Sequence, residues 1–267
     1  MAPIKLPVYK LLLIIAIVAL PVLAGACRPE GQIYTKDGAV ECGADGRPII
    51  LANNPSATDP TFAELVAFIQ SDRTDSKPYI DGVFVCADFA EEVHNNAEAA
   101  GIRAGWVGIS FAGAETGHAI NVFETIDRGM VLIDCTGSSS DSSEDSRDMV
   151  AYIEEGKRYG VISLEMILDS GMDYFSLQYA YYEQAAEDWR EYKELLSAYN
   201  AEVKRYNAEI AGKVYTIGSP EEKRISDWEQ KLIGQQELLE SLEARTGGHW
   251  YESEYSSYTV SGVNIHW

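Results

Sequence analysis

The fold is decided by the stretch CADFAEEVHNNAEAAGI, residues 86–102. Its apolar residues are spaced at helical intervals, which predicts a helix over residues 86–99 with one buried face. These apolar residues are Phe89, Ala90, Val93 and Ala97. Gly101, followed by Ile102, is a typical signal for the end of a helix. We therefore expect Cys86 to be the first residue of a helix that packs on a core.

Three strand-like runs follow the predicted helix. They lie at residues 104–111, 118–123 and 130–136. The sequence DRG at residues 127–129 predicts a turn that joins the second run to the third. Because side chains alternate between the two faces of a strand, a hairpin of these runs would place His118 and Asp134 side by side. Cys135 would then point to the opposite face.

Cys86, His118 and Asp134 are the candidate catalytic residues. A cysteine thiol is a nucleophile, a histidine is the base that activates it, and an aspartate orients the base. A thiol at a helix start also lies at the positive end of the helix dipole, which favours its thiolate form. Together these residue types indicate acyl-transfer chemistry on an amide or an ester.

The other three histidines are weaker candidates for the base. His94 follows Cys86 by eight residues on the same predicted helix, about 12 Å further along its axis and beyond hydrogen-bond reach. His249 and His266 lie outside the segment that holds the other two candidate residues.

Four short motifs resemble the transglutaminase-like superfamily. They are CADFA at residues 86–90, AAGIRA at 99–104, HAINV at 118–122 and LIDCT at 132–136. The resemblance covers roughly residues 60–140, and it implies a papain-like α+β fold in which the helix bearing Cys86 packs on an antiparallel sheet. By position, the resemblance makes Cys86 the nucleophile, His118 the base and Asp134 the group that orients the base.

Residues 1–26 have the features of an export signal. Two lysines precede an apolar run at residues 11–20, and small residues end the segment. Cys27 follows directly, and the sequence LAGAC at residues 23–27 resembles a bacterial lipoprotein signal, in which the cysteine is lipidated after cleavage. The competing interpretation is ordinary cleavage after Ala26. We expect an exported protein, at the cell envelope or outside the cell, that a lipid on Cys27 would anchor to the membrane.

The chain is strongly acidic, with a formal net charge of −21. Removal of residues 1–26, which carry two lysines and no acidic residue, changes this charge to −23. A surface of this charge repels nucleic acid and anionic lipid headgroups, so neither is an expected partner.

The chain contains four cysteines. If Cys27 is lipidated and Cys86 is the nucleophile, Cys42 and Cys135 remain as a candidate disulfide in an oxidising compartment. The competing interpretation is two unpaired thiols, with Cys135 buried as a small apolar residue. Because no pair of Cys or His residues has zinc-site spacing, we expect no metal, and we expect no cofactor.

Composition divides the chain into five segments. They are the export signal at residues 1–26, a loop-rich segment at 27–60, the transglutaminase-like core at 61–170, an antiparallel helical hairpin at 171–247 and an aromatic, strand-like tail at 248–267. The hairpin is expected because residues 172–211 lack proline and glycine, and SPEE at 219–222 is a strong helix start. Its coiled-coil-like apolar stripe is expected to pack within the hairpin, and a protein partner is the alternative.

The leading hypothesis for function is an exported thiol hydrolase, a peptidase or amidase, acting on a peptide or protein substrate. An acyl transferase uses the same chemistry with an amine as acceptor, and water is the more abundant acceptor. The alternative is a non-catalytic scaffold or binding protein anchored at the envelope, in which the triad is a relic of the fold. The reactivity of Cys86 toward an alkylating reagent separates the two hypotheses.

Overall fold

The structure is a computed structural model that describes residues 31–36, 38–137, 148–169, 174–246 and 253–267. The predicted export signal at residues 1–26 and the predicted lipidation site Cys27 lie outside the described residues. Within the described residues the chain belongs to the mixed α+β class, with five α-helices and a six-stranded antiparallel sheet.

The helices of the described residues divide into three that pack near the sheet and two long ones that follow. They are α1 Phe62–Ser71, α2 Cys86–Ala99, α3 Leu164–Asp169, α4 Tyr179–Ile210 and α5 Pro220–Thr246. The helix that the sequence predicts over residues 86–99 is confirmed as α2. Helix α1 begins where Thr61 accepts a hydrogen bond from the backbone N–H of Glu64 while the Glu64 carboxylate accepts one from the backbone N–H of Thr61.

The strands of the described residues form one large sheet and two small ones. The short strands are β1 Gln32–Ile33, β2 Thr35–Lys36, β3 Ala39–Val40 and β4 Ile50–Leu51. The long sheet contains β5 Gly105–Phe111, β6 His118–Thr125, β7 Gly129–Asp134, β8 Met149–Tyr152, β9 Gly160–Ser163 and β10 Val260–His266. Its spatial order is β10-β5-β6-β7-β8-β9, and every neighbouring pair is antiparallel.

The predicted hairpin of two strands is confirmed as β6 and β7. Val122 pairs with Leu132 in this hairpin, and the register continues to Thr125 opposite Gly129. Gly129 has a φ of 71°, a left-handed conformation that glycine adopts without a steric penalty. The short strand β8 and the helix α3 were not predicted, because a four-residue or six-residue run carries too little periodicity to be recognised.

Two apolar layers cover the two faces of the sheet. One layer includes Phe123, Ile133 and Cys135, and it packs against α1, α2 and α3. The opposite layer includes Ile120 and Val122. Val122 and Phe123 are neighbours in β6 but belong to different layers, because side chains alternate across a strand.

Helices α4 and α5 form the predicted antiparallel hairpin. Ion pairs join Asp188 near the start of α4 to Arg245 near the end of α5, at 3.0 Å, and Glu209 near the end of α4 to Arg224 near the start of α5, at 2.8 Å. Only an antiparallel pairing of the two helices allows both contacts. Ala185 joins the apolar layer of the sheet, so the base of the hairpin packs on the core.

The tail returns to the sheet as an edge strand. Strand β10 pairs with β5 from Val260 opposite Phe111 to His266 opposite Trp106, with an irregularity between Val260 and Gly262. The tail that the sequence separates from the core therefore completes the same sheet. This pairing also brings the preceding turn, residues 254–257, next to the start of β6.

Candidate active site

His118 and Asp134 form a buried hydrogen-bonded pair at one end of the β6–β7 hairpin. His118 is the first residue of β6 and Asp134 is the last residue of β7. Nε2 of His118 lies 2.8 Å from Oδ2 of Asp134, and both side chains are almost fully buried. The structure therefore places these two residues side by side, as the strand alternation predicts.

The Asp134 carboxylate is held by two further donors. The hydroxyl of Tyr159 donates to Oδ2 at 2.7 Å, and the backbone N–H of Thr136 donates to Oδ1 at 3.0 Å. Tyr159 lies just before β9, and it reaches Asp134 because β7, β8 and β9 are consecutive in the sheet. Sequence reasoning missed Tyr159, since no local pattern links a tyrosine to an aspartate two strands away.

The electrostatics of the pair favour a charged imidazolium. Burial alone lowers the pKa of His118, but the charge and hydrogen bond of Asp134 and a contribution from Cys86 raise it to about 10. Burial likewise raises the pKa of Asp134, while His118, Thr136 and Tyr159 lower it to a net value below its usual range. Each partner stabilises the charged form of the other in this water-poor environment.

Cys86 lies at the first residue of α2, as predicted, and is buried. The Asp88 carboxylate accepts hydrogen bonds from the backbone N–H of Val85, at 2.9 Å, and from that of Ala44, at 3.0 Å. Gly43 makes this contact with the loop possible, because a Cβ there would lie 2.1 Å from Oδ1 of Asp88. Asp88 thus ties the start of α2 to the loop-rich segment.

The thiol of Cys86 and the imidazole of His118 belong to one site. Nδ1 of His118 is buried and has no hydrogen-bond partner of standard geometry among the described residues. The side chain of Cys86 is near enough to contribute to the raised pKa of His118. His118 therefore directs Nε2 toward Asp134 and leaves Nδ1 for the thiol or for a bound molecule.

Cys86 and His118 line a cavity of about 740 Å³. The cavity has acidic and aromatic walls, and its described lining contains no lysine or arginine. The acidic residues are Glu41, Asp81 and Glu254, and the large aromatic ones are Tyr79, Trp106, Tyr255 and Tyr258. The site is thus open to a ligand of small-molecule or peptide size, and its walls favour a cationic one.

Two tyrosines stand close to the candidate nucleophile and base. Tyr255 stacks on the His118 ring, with 4.1 Å between the ring centroids. Burial, followed by the charge of Cys86, raises the pKa of both Tyr79 and Tyr255, so both phenols keep their protons and can donate hydrogen bonds. The sequence identifies Tyr255 only as part of an aromatic tail, and its position over His118 depends on the pairing of β10 with β5.

The predicted disulfide between Cys42 and Cys135 is not formed. Cys42, Cys86 and Cys135 are all free cysteines. Cys42 is exposed and lines the same cavity as Cys86. Cys135 is buried in the apolar layer that packs against α1, α2 and α3, where burial raises the pKa of its thiol. The competing interpretation, in which Cys135 is a small apolar core residue, describes this position.

The other described histidines lie apart from the pair. His94 is fully buried in α2, where its Nδ1 lies 3.1 Å from Oδ1 of Asn95 and burial lowers its pKa. His266 lies in β10 and stacks on Trp106, with 5.7 Å between the ring centroids. His249 lies outside the described residues.

Comparison of the chain with models of protein families, with curated proteins and with solved structures finds no match. The resemblance to the transglutaminase-like superfamily stays a prediction from the sequence motifs. In the part of the chain that the structure describes, none of the helices combines the length and the apolar character needed to span a membrane.

Proposed function

We propose that the protein is a thiol-dependent hydrolase or acyl transferase that acts on amide bonds through Cys86, His118 and Asp134. One observation carries the proposal. A buried imidazole is held by a carboxylate through Nε2, and the thiol at the start of α2, which lines the same cavity, contributes to the raised pKa of that imidazole. This is the geometry that an activated thiol nucleophile requires.

The proposed reaction begins with transfer of the Cys86 proton to His118. The sulfur attacks the carbonyl carbon of the substrate, and the backbone N–H of Cys86 at the start of α2 stabilises the oxyanion. The C–N bond then breaks, the amine leaves with the proton from His118, and the acyl group stays on the sulfur as a thioester. Water or a second amine attacks the thioester carbonyl carbon while His118 accepts its proton. The C–S bond then breaks, the acid or the new amide leaves, and the proton returns from His118 to the sulfur.

The high pKa of His118 favours this cycle. At neutral pH the proton is more stable on the imidazole than it is on an ordinary histidine, because Asp134 balances the charge. The imidazolium that forms when His118 takes the proton of Cys86 is therefore favoured. Asp134 is a positioning residue in this scheme, and Tyr159 and Thr136 hold it in place.

We extend the proposal to the fold family, the substrate and the location. A helix that begins with Cys86 and packs near an antiparallel sheet supports a papain-like, transglutaminase-type core. The acidic cavity supports a peptide or protein substrate with a cationic side chain or an amine acceptor. Export, with a lipid anchor on Cys27, follows from the sequence of the first 27 residues, and a mass spectrum of the native N-terminus tests it.

Two observations favour a second candidate, a non-catalytic scaffold at the envelope. Tyr255 covers one face of His118, which limits access to the site. The connection between α4 and α5 exposes Val214 and Ile217 almost completely, by 98% and 95%, and apolar side chains of this kind are suited to a protein partner. If the protein is such a scaffold, the helical hairpin of α4 and α5 binds the partner.

Alkylation by iodoacetamide at neutral pH distinguishes the two candidates. The exposed thiol of Cys42 also reacts, so the experiment uses Cys42→Ser as background and follows Cys86 by peptide mass spectrometry. The proposal expects Cys86 to react faster than a free cysteine and expects His118→Ala to slow the reaction by at least about tenfold. The buried Cys135 is the internal reference, and equal slow labelling of Cys86 and Cys135 would support the scaffold.

A further inference from the structure

A second cavity, of about 300 Å³, lies between the base of the helical hairpin and the tail. Three separate parts of the chain form its walls: Arg158 just before β9, one face of α4, and three serines in and beside the turn at residues 254–257. Among the described residues, none lines both this cavity and the one that contains Cys86. Its volume lies at the lower end of the range for small-molecule sites.

The walls of this cavity are cationic in a chain of net charge −21. Arg158, Arg190 and Lys193 line it, and no carboxylate does among the described residues. Arg158 and Lys193 have no carboxylate partner within 4.0 Å in the described part of the chain. Arg190 pairs with Glu187 at 2.5 Å, but both side chains are mostly exposed, and such surface pairs are weak enough for a ligand to compete. Positive charge is therefore concentrated at this cavity, although the chain as a whole is strongly negative.

Hydroxyl groups and aromatic rings complete the lining. Ser253, Ser256 and Ser257 contribute hydroxyls, which can donate to an oxyanion. Trp189 and Tyr182 contribute ring faces, and Nζ of Lys193 lies 5.8 Å from the centre of the Trp189 ring. A guanidinium fork binds two oxygens of a phosphate or sulfate group at once, and an ammonium adds a point charge.

We propose that this cavity binds a small ligand that carries a phosphate group. Arg158 and Lys193 bind the anion, the serines of the tail donate to its oxygens, and any sugar or ring that bears the group packs on Trp189. The proposal does not depend on the catalytic role of Cys86. The proposed ligand lies where three separate segments of the chain meet.

The site lies behind the turn that covers His118. Within the turn Glu254–Ser257, Tyr255 lines the cavity that contains Cys86, whereas Ser256 and Ser257 line the cationic cavity. A ligand held by these serines is therefore one turn of chain away from the candidate active site.

Isothermal titration of the protein with inorganic phosphate and with glucose 6-phosphate tests the proposal. The test variant is Arg158→Gln combined with Lys193→Gln. The control is Lys204→Gln combined with Lys223→Gln, which changes the net charge equally at exposed helix positions outside the cavity. Circular dichroism and thermal unfolding verify that both variants are folded.

We expect binding of at least one probe, weakened about tenfold or more in the test variant and within about twofold of the parent in the control. Tighter binding of glucose 6-phosphate, lost in Trp189→Ala, identifies an esterified ligand, whereas equal affinity for the two probes identifies the free anion. The proposal is overturned if neither probe binds at concentrations up to about 10 mM. It is also overturned if the test and control variants lose affinity equally, because binding then follows net charge alone.

Discussion

Tyr255 lies stacked on the imidazole ring of His118, with 4.1 Å between the ring centroids and 24° between the ring planes. Tyr159 meets the same imidazole edge-on, with 5.3 Å between the ring centroids and an interplanar angle of 83°. The candidate base is thus enclosed by a tyrosine from the tail and another from the β8–β9 connection. These contacts orient the ring and limit its access to water.

Replacement of Tyr255 tests whether this ring covers the site. We expect Tyr255→Ala to increase the rate of Cys86 alkylation about fivefold or more. A fivefold increase corresponds to a decrease of roughly 1 kcal/mol in the free energy of local opening. Tyr255→Phe keeps the stack and is expected to behave like the parent. Tyr258→Ala, at another tail tyrosine of the same cavity, is the control, and all rates are measured in the Cys42→Ser background. An unchanged rate in Tyr255→Ala would show that the ring does not limit access.

Removal of the charge of Asp134 should reverse the pKa shift of His118. In the parent protein Asp134 raises the pKa of His118 to about 10, against the effect of burial. In Asp134→Asn burial dominates, so we expect a pKa below the ordinary value of 6.5. NMR titration of the His118 ring measures its pKa in the parent and in Asp134→Asn. Tyr159→Phe, which removes one hydrogen bond but keeps the carboxylate, should leave the pKa of His118 above 6.5.

The ion pair of His118 and Asp134 predicts how the stability of the protein depends on pH. A group whose pKa is raised on folding stabilises the folded state fully below its unfolded pKa, and that contribution is lost as pH rises through the folded pKa. For His118 the interval runs from about 6.5 to about 10. The difference in unfolding free energy between the parent and His118→Gln should therefore shrink as the pH rises from 6 to 10 in urea titrations. A constant difference across this interval would contradict the ion pair.

The three candidate catalytic residues should differ in their effect on turnover. We expect Cys86→Ala and His118→Ala each to abolish cleavage of a lysine-containing peptide amide, a loss on the order of a thousandfold or more. Asp134→Ala should reduce the rate less, because orienting the base contributes less than the nucleophile or the base itself. Cys42→Ser is the control for a thiol of the same cavity, and full turnover by Cys86→Ala would exclude the proposed mechanism.

Gly43 should be required for the contact between the loop-rich segment and α2. A Cβ at this position would lie 2.1 Å from Oδ1 of Asp88, so we expect Gly43→Ala to destabilise the protein by about 1–3 kcal/mol. Gly234→Ala is a matched control of opposite sign. Gly234 is exposed in α5 with no atom near its Cβ position, and alanine there should stabilise the helix by up to about 1 kcal/mol. Urea unfolding of both variants measures the two effects.

The elements that were predicted correctly share a local signal. Helix α2, the β6–β7 hairpin and the pair α4–α5 have periodic apolar residues, turn residues or cap residues within a few positions. The position of His118 beside Asp134 also follows from strand alternation, because the two residues lie in strands joined by a short turn. The pairing of Cys42 with Cys135 was wrong because it rested on elimination among cysteines, without information on which thiols lie close together.

The sequence by itself determined which residues form the local elements and which residue types meet at the β6–β7 hairpin, since those depend on nearby positions in the chain. Only the tertiary structure decided that Tyr159 donates to Asp134, that Tyr255 covers His118, and that the tail pairs with β5 as an edge strand. Each of these contacts joins residues far apart in the chain. Their formation depends on the whole apolar core offsetting the entropy of closing long loops, so no short stretch of sequence encodes them.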